Sequence, residues 1–450
     1  MQQWTHRFVG GLLLLALAPL RGENWPQFRG THAAGVAPSE KLPIEWGPDK
    51  NIAWKIEIPG AGWSSPIVWQ DRIFLTTAIA DQPEEAPKTG LYFGGERKDP
   101  PKIHYDYRVI CLNARDGAIL WNQSVGSGLP SRGKHIKNTY ASETPVTNGR
   151  QVFAYFPFVG LVGLDMEGNI LWKQDLGVYP TKAEWGTGSS PIADASQVYF
   201  QCDNEDKSFI AAYDAESGAE HWKIPREERT NWSTPFLWQA GGRTEIVTSG
   251  KNKARSYDPA TGNLIWELGG MSSIVVTTPV ANADFCFVSS GYVMDQKNRP
   301  IFAVRPGAKG DISLEKEATT NQSIAWSQRL GGAYMPTPIV YGERLFVLYD
   351  KGFFGAFATK TGEMLYKRER LPQVANFTAS PWAYRDRIFC LAESGETYVI
   401  EASDKLNVLA IQPPLDESLF MATPAVADDT LLIRGSHHLY GIREGASPSR

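Results

Sequence analysis

The sequence predicts an all-β fold: an eight-bladed β-propeller of four-stranded antiparallel blades, closed by an N-terminal strand that completes the last blade. Three observations predict it. A Ser/Thr-Pro dipeptide opens a short apolar run eight times, at Ser65-Pro66, Thr144-Pro145, Ser190-Pro191, Thr234-Pro235, Thr278-Pro279, Thr337-Pro338, Ser380-Pro381 and Thr423-Pro424. The prolines are 79, 46, 44, 44, 59, 43 and 43 residues apart, a period that belongs to repeat architectures. A second phrase, a Gly turn followed four residues later by an aromatic, repeats with the same spacing: Gly117 to Trp121, Gly168 to Trp172, Gly218 to Trp222, Gly262 to Trp266 and Gly362 to Tyr366. Finally, the repeat is split, with three strands left after Thr423-Pro424 and an orphan Trp strand, Asn51 to Ile56, before the first anchor.

Each repeat reads the same way. An apolar run such as Ile67-Val68-Trp69 follows the anchor. A β-branched and aromatic run follows a turn, as at Arg72 to Thr77. A third run, such as Arg108 to Leu112, leads into the Gly turn and the Trp strand. Short β-prone runs punctuated by Gly, Asp and Asn are antiparallel strands, and four-stranded units repeated radially make a propeller. Pairing the orphan strand with the last blade ties the ring shut and removes an exposed edge.

The remaining segments follow in order. His6-Arg7 precede a short apolar run, Phe8 to Leu20, which reads as a signal peptide over residues 1–22 with cleavage after Gly22. No Cys follows that run, so no lipid anchor is expected there, and no other segment is apolar enough to span a membrane. The mature protein is expected to be exported, periplasmic or extracellular. Residues 23–50 form an N-terminal extension, expected along the outside of the ring. The propeller occupies residues 51–443, and residues 444–450 are expected to be a disordered tail. Two insertions break the period. Ala80 to Tyr107 is placed on the channel face, where it can cap the channel. Pro306 to Gln322 lies in a third-to-fourth-strand turn, hence on the opposite face.

With 42% hydrophobic residues, 12% aromatics and 15 Trp, the chain can bury a large core, and the repeated Trp residues are expected to pack between blades. A net charge of −4 without a basic stripe gives no reason to expect nucleic acid. Cys111, Cys202, Cys286 and Cys390 fall in strands of four different repeats and read as buried thiols. There is no Cys-x-x-Cys-His, no Gly-x-Ser-x-Gly elbow and no Walker loop. His437-His438 is not a metal pair, because neighbours on a strand point to opposite faces.

The Asp258-x-x-Thr-Gly-x-x-x-Trp266 form resembles the Trp-docking pattern of the quinoprotein-type, or pyrroloquinoline-quinone-like (PQQ-like), propellers, and the resemblance covers about residues 51 to 443. Three stretches look like exported planctomycete-type propellers of unassigned function: Asn24 to Gly30, Gly62 to Pro66 and Gly331 to Pro338. The family contains quinone-dependent alcohol and sugar dehydrogenases and also non-catalytic scaffolds, including one that assists outer-membrane β-barrel assembly.

The resemblance places the fourth-to-first-strand links and the second-to-third-strand loops on the channel face. The candidate ligand-binding residues are therefore Trp63, His135, Lys137, Lys182, Glu184, Trp185, Arg229, Trp232, Tyr334 and Phe377 in the links, with Lys251, Asp350, Glu393 and His437 in the companion loops. Aromatic surfaces beside mixed charges suit a sugar, a peptide or a flat cofactor. The function implied first is a non-enzymatic binding or scaffold propeller for protein or saccharide, with no cofactor and no metal site expected. The alternative is a quinone- and calcium-dependent dehydrogenase, which needs PQQ, Ca²⁺ and oxygen ligands on separate loops. The adjacent Cys pair of the larger alcohol-oxidising members is missing.

Overall fold

The computed structural model describes residues 24–90 and 94–446. The signal segment 1–22 and Leu91-Tyr92-Phe93 of the first insertion lie outside the described residues. The described chain forms eight radial blades without an α-helix. Blade 1 pairs Ile67–Trp69, Arg72–Ala80, Tyr105–Asn113 and Ile119–Gly128 in that order, each antiparallel to the last. Blades 2 to 7 begin at Val146, Ile192, Phe236, Val280, Ile339 and Trp382. Blade 8 holds Ala425–Ala427, Thr430–Arg434 and His438–Arg443, and its fourth strand is Ile52–Glu57, with Ile52 opposite Ile442 and Glu57 opposite His438. The split repeat thus closes the ring.

The Trp strands show how neighbouring blades are joined. Each indole lies across its own sheet opposite a small residue: Trp121 faces Cys111, Trp172 faces Gly163, Trp222 faces Ala212 and Trp54 faces Gly441. Each then donates its N–H to the Gly turn of the next blade, Trp121 to Met166 O (2.9 Å), Trp172 to Ala215 O (2.9 Å), Trp222 to Pro259 O (3.0 Å) and Trp326 to Thr359 O (2.7 Å). Trp54 does the same across the seam, to Ala114 O of blade 1 at 3.3 Å. The turn glycine lies beneath the indole: a Cβ on Gly218 would stand 2.5 Å from the Trp172 ring, at a φ of +72°. The expected packing of Trp between blades is therefore observed.

Blade 4 departs from this rule for a local reason. Trp266 would dock on the turn of blade 5, where the second insertion sits. Its indole donates instead to Glu245 Oε2 of its own blade at 2.7 Å. The insertion supplies a fifth strand to blade 4, Gly310–Asp311, which runs parallel to Trp266 and Glu267. The four cysteines are free and buried.

The extension departs from expectation. Residues 25–43 do not run along the outside of the ring. Trp25 exchanges both main-chain bonds with Val68 of blade 1, Pro26 O accepts from Thr147 N of blade 2, and Ala37 N and Gly35 O bond to Ala383 of blade 7. Ala33 packs into the core of blade 4. Arg29 is 1% exposed and donates to main-chain oxygens of Thr337 (3.3 Å), Pro338 (3.0 Å) and Pro381 (3.2 Å) in blades 6 and 7. The physical reason is that the innermost strands offer unpaired main-chain groups at their far ends, and the extension satisfies them. Of the expected tail, residues 444–446 form a turn in which Gly445 N donates to Asn51 Oδ1 at 3.1 Å, and 447–450 lie outside the described residues.

Candidate functional site

The site begins with the anchors. Proline fixes the backbone at the start of each innermost strand, and the hydroxyl residue before it faces the axis. The N–H of one anchor donates to the hydroxyl of the next: Ser65 to Thr144 (3.0 Å), Thr144 to Ser190 (2.9 Å), Ser190 to Thr234 (3.1 Å), Thr278 to Thr337 (3.1 Å), Thr337 to Ser380 (3.0 Å) and Ser380 to Thr423 (3.0 Å). All eight anchor residues line one axial cavity of 260 Å³. A hydroxyl that accepts a neighbour's N–H keeps its own proton to donate, so the anchors present a belt of O–H donors to the cavity. Phe28 of the extension also lines it, reaching in from the end of the channel that the extension crosses.

Six of the predicted candidates line the opposite, open end: Trp63, His135, Lys137, Trp185, Trp232 and Tyr334. The Trp63 indole donates to Lys137 O at 2.7 Å. Trp185 and Trp232 pack with centroids 5.8 Å apart at 33°, and the Trp232 indole is fixed on Gly186 O at 2.8 Å. Tyr334 meets Tyr292 edge to face at 5.2 Å. His135 accepts the Lys137 N–H on Nδ1 at 3.1 Å. Burial holds its imidazole below the ordinary 6.5, so it is neutral at pH 7.

Glu393 joins them through Lys137, whose ammonium lies 2.6 Å from its carboxylate, with side chains 6% and 1% exposed. Glu393 also accepts from Thr378 Oγ1 at 2.6 Å and Gly90 N at 2.8 Å. Gly90 belongs to the first insertion, which crosses the mouth from blade 1 to blade 7. On its return the insertion pairs Glu96 with His135 and Arg97 with Lys134, and Glu96 Oε1 accepts the Trp185 indole at 3.3 Å. The described parts of this insertion therefore lie on the channel face and cover part of the mouth.

The other candidates stand apart from the cavity. Lys182 and Glu184 form a 3₁₀ turn on the rim; Lys182 N donates to Thr230 Oγ1 at 2.9 Å and Glu184 pairs with Arg132 at 3.2 Å. Arg229 is turned to Glu205, 3.6 Å away. Lys251 and His437 are exposed. Asp350 is buried, and its carbonyl accepts from Phe377 N at 3.0 Å. Phe377 packs edge-on against Tyr398 at 5.7 Å within the blade core. Sequence reasoning missed Phe28, Thr378, Met335 and Met421, which share the lining. The anchor hydroxyls were not among the candidates either, although a hydroxyl kept before all eight prolines was the available signal.

The cavity lining contains no carboxylate among the described residues, and no group of three or more His, Cys, Asp or Glu among them could hold a metal. Calcium takes about 6–8 oxygen ligands, carboxylates foremost. The oxygens of Glu393 are already taken by Lys137, Thr378 and Gly90. The residues at the mouth do not fit a quinone–calcium pair.

Comparison with known proteins agrees with this architecture. A family model described as outer membrane protein assembly factor BamB matches residues 105–299. The protein of that name from Burkholderia pseudomallei (strain K96243) is 25% identical over 241 residues, 52% of this chain. The match spans about half of that relative, 51% of its length. Among solved structures, a europium-containing methanol dehydrogenase superposes with a TM-score of 0.58 at 10% identity, covering 94% of this chain and 98% of its own. The quinohemoprotein alcohol dehydrogenase ADHIIG from Pseudomonas putida HK5 gives 0.54 at 12% identity, covering 95% and 81%. At such identities the likeness is one of fold. What the chain shares with these structures is the all-β propeller architecture, here built of eight blades. Among the described residues no helix is long and apolar enough to cross a membrane.

Proposed function

We propose that this chain is an exported, non-enzymatic binding propeller that takes a saccharide in its axial cavity. One observation carries the reading: a belt of anchor hydroxyls below Trp63, Trp185, Trp232 and Tyr334, in a cavity of 260 Å³ with no carboxylate in its described lining. Sugars present flat C–H faces that stack on indole rings and hydroxyl and ring oxygens that accept from O–H donors. Such a lining binds without supplying a base, a nucleophile or a metal ligand set.

A second reading, a scaffold for protein assembly, is favoured by the similarity over 241 residues to an outer membrane protein assembly factor. Both readings use the channel face. The test is a fluorescence titration of the purified chain with neutral oligosaccharides, compared with Trp185→Ala and Trp232→Ala. Saturable quenching that either substitution weakens about tenfold is the expected result. An unchanged spectrum across the panel would remove the saccharide reading. Uptake of quinone and calcium with a bound chromophore would replace it with the dehydrogenase.

A further inference from the structure

A second feature of the channel face lies outside the cavity, on the rim of blades 5 and 6. Blade 6 pairs Arg344–Tyr349 with Phe353–Ala358 and the latter with Met364–Arg370. Its second-to-third-strand turn brings Tyr349 and Phe353 side by side at the channel-face end. The outgoing fourth strand lays two arginines over these rings. The Arg368 guanidinium carbon is 4.3 Å from the centroid of Tyr349 and 4.9 Å from that of Phe353, and Arg370 is 4.2 Å from Phe353. Glu369, between them, pairs opposite Phe354 and points to the other side of the sheet.

Blade 5 adds a third arginine. Tyr349 Oη donates to Gly331 O at 2.8 Å, and Gly332 N donates to Arg299 O at 2.7 Å, so Arg299 is tied to the same corner. Its Nε is buried with no hydrogen-bond partner. Burial, with Arg299 and Arg370 adding, holds the Arg368 guanidinium below its ordinary value, against the pull of the buried Asp350. None of the three arginines makes an ion pair with a carboxylate among the described residues. Like charges gathered over rings, with a single buried carboxylate nearby and none paired to them, are unfavourable alone and become favourable when an anion arrives.

We propose that Arg299, Arg368 and Arg370 form a strip that docks an acidic segment of a partner protein. Guanidinium forks match carboxylates in a bidentate manner. The strip runs across two blades, which suits successive carboxylates on an extended chain better than one compact phosphate. The proposal rests on the channel face being a binding face, and not on what the axial cavity holds.

The test uses the whole chain and a fluorescein-labelled hexaglutamate peptide, followed by anisotropy at low salt. Wild type is expected to bind, with affinity falling as salt rises. R368Q/R370Q is expected to lose about tenfold or more in affinity, while K102Q/R115Q, which removes the same charge from exposed positions elsewhere, keeps it. No binding by wild type, or equal binding by R368Q/R370Q, overturns the strip. Displacement of the peptide by equimolar inorganic phosphate overturns the choice of an acidic segment. Saccharide quenching that survives in R368Q/R370Q separates this outcome from failure of the cavity reading.

Discussion

The ammonium of Lys137 lies 2.6 Å from the carboxylate of Glu393, although the two are 256 residues apart in the chain. Lys137 leaves blade 1 and Glu393 caps blade 7, so the pair ties two sides of the channel mouth. Both side chains are almost fully buried. Removing one partner strands the other charge, at a cost of about 3–5 kcal/mol. Lys137→Met and Glu393→Gln are each expected to fall in that range by urea denaturation. The double variant is expected to recover a large part of the loss, because the Gln oxygen still accepts from Gly90 N while its amide N–H can donate to the Thr378 hydroxyl. Additive losses would show that the pair is not coupled.

Arg29 should behave as the rivet of the extension. It donates to Ala33 and Ala34 of its own segment and to Thr337, Pro338 and Pro381 of the ring. Burial lowers its guanidinium to about 9. Arg29→Ala leaves these buried oxygens without their donor and is expected to cost about 3 kcal/mol. Hydrogen exchange should then rise first at Gly35, Ala37 and Ala383, whose main-chain bonds hold the crossing segment. Unaltered protection there would show that Trp25 alone suffices.

Glu143 gives a pH dependence. It is 1% exposed, and burial raises its carboxyl from 4.5 to about 7. The folded state therefore binds a proton that the unfolded state has released between those values. Stability from this group is full below pH 4.5 and is lost as pH rises through 7. The loss amounts to about 3 kcal/mol. Glu143→Gln is expected to be neutral at pH 5 and stabilising by up to that amount at pH 8, by thermal or urea unfolding at the two pH values. A gain of equal size at both would assign the effect to packing.

The Trp docking can be tested at its glycine. Gly218 sits at φ +72° beneath Trp172, where a Cβ would be 2.5 Å from the ring. Gly218→Ala is expected to cost about 2 kcal/mol, from backbone strain and overpacking together. Gly128→Ala, with no atom within 4 Å and no positive φ, is expected to leave the urea midpoint unchanged. A neutral Gly218→Ala would mean that the turn relaxes without the indole.

The eight anchors, the Gly turns and the split last blade were legible because each is a periodic or locally spaced signal. Trp54 was recognisable as a displaced fourth strand for the same reason. The course of residues 25–43 was not, since it depends on main-chain bonds and on one arginine whose partners lie more than 300 residues away. Nothing local encodes such contacts. The candidate site was legible as a face rather than as a constellation. Link residues such as Trp185 and Trp232 reach the cavity, while Phe377, at a similar place in its repeat, turns into the core. Period alone does not fix which way a loop side chain turns. The arginine strip was missed because Arg299 and Arg368 come from different blades.

The pairing of Ile52 with Ile442 also bears on how the molecule is assembled. Seven blades can form as the chain emerges, since each is built from consecutive strands. The eighth needs residues from both ends of the propeller at once, and bringing them together carries the entropy of closing a loop of nearly the whole chain. Ring closure is therefore a late, non-local step, of the kind that slows folding. Until it occurs, Ile52–Glu57 and His438–Arg443 present open strand edges. A circular permutant that joins Arg443 to Asn51 and opens the chain between two other blades would move that step, turning the slowest contact into a local hairpin.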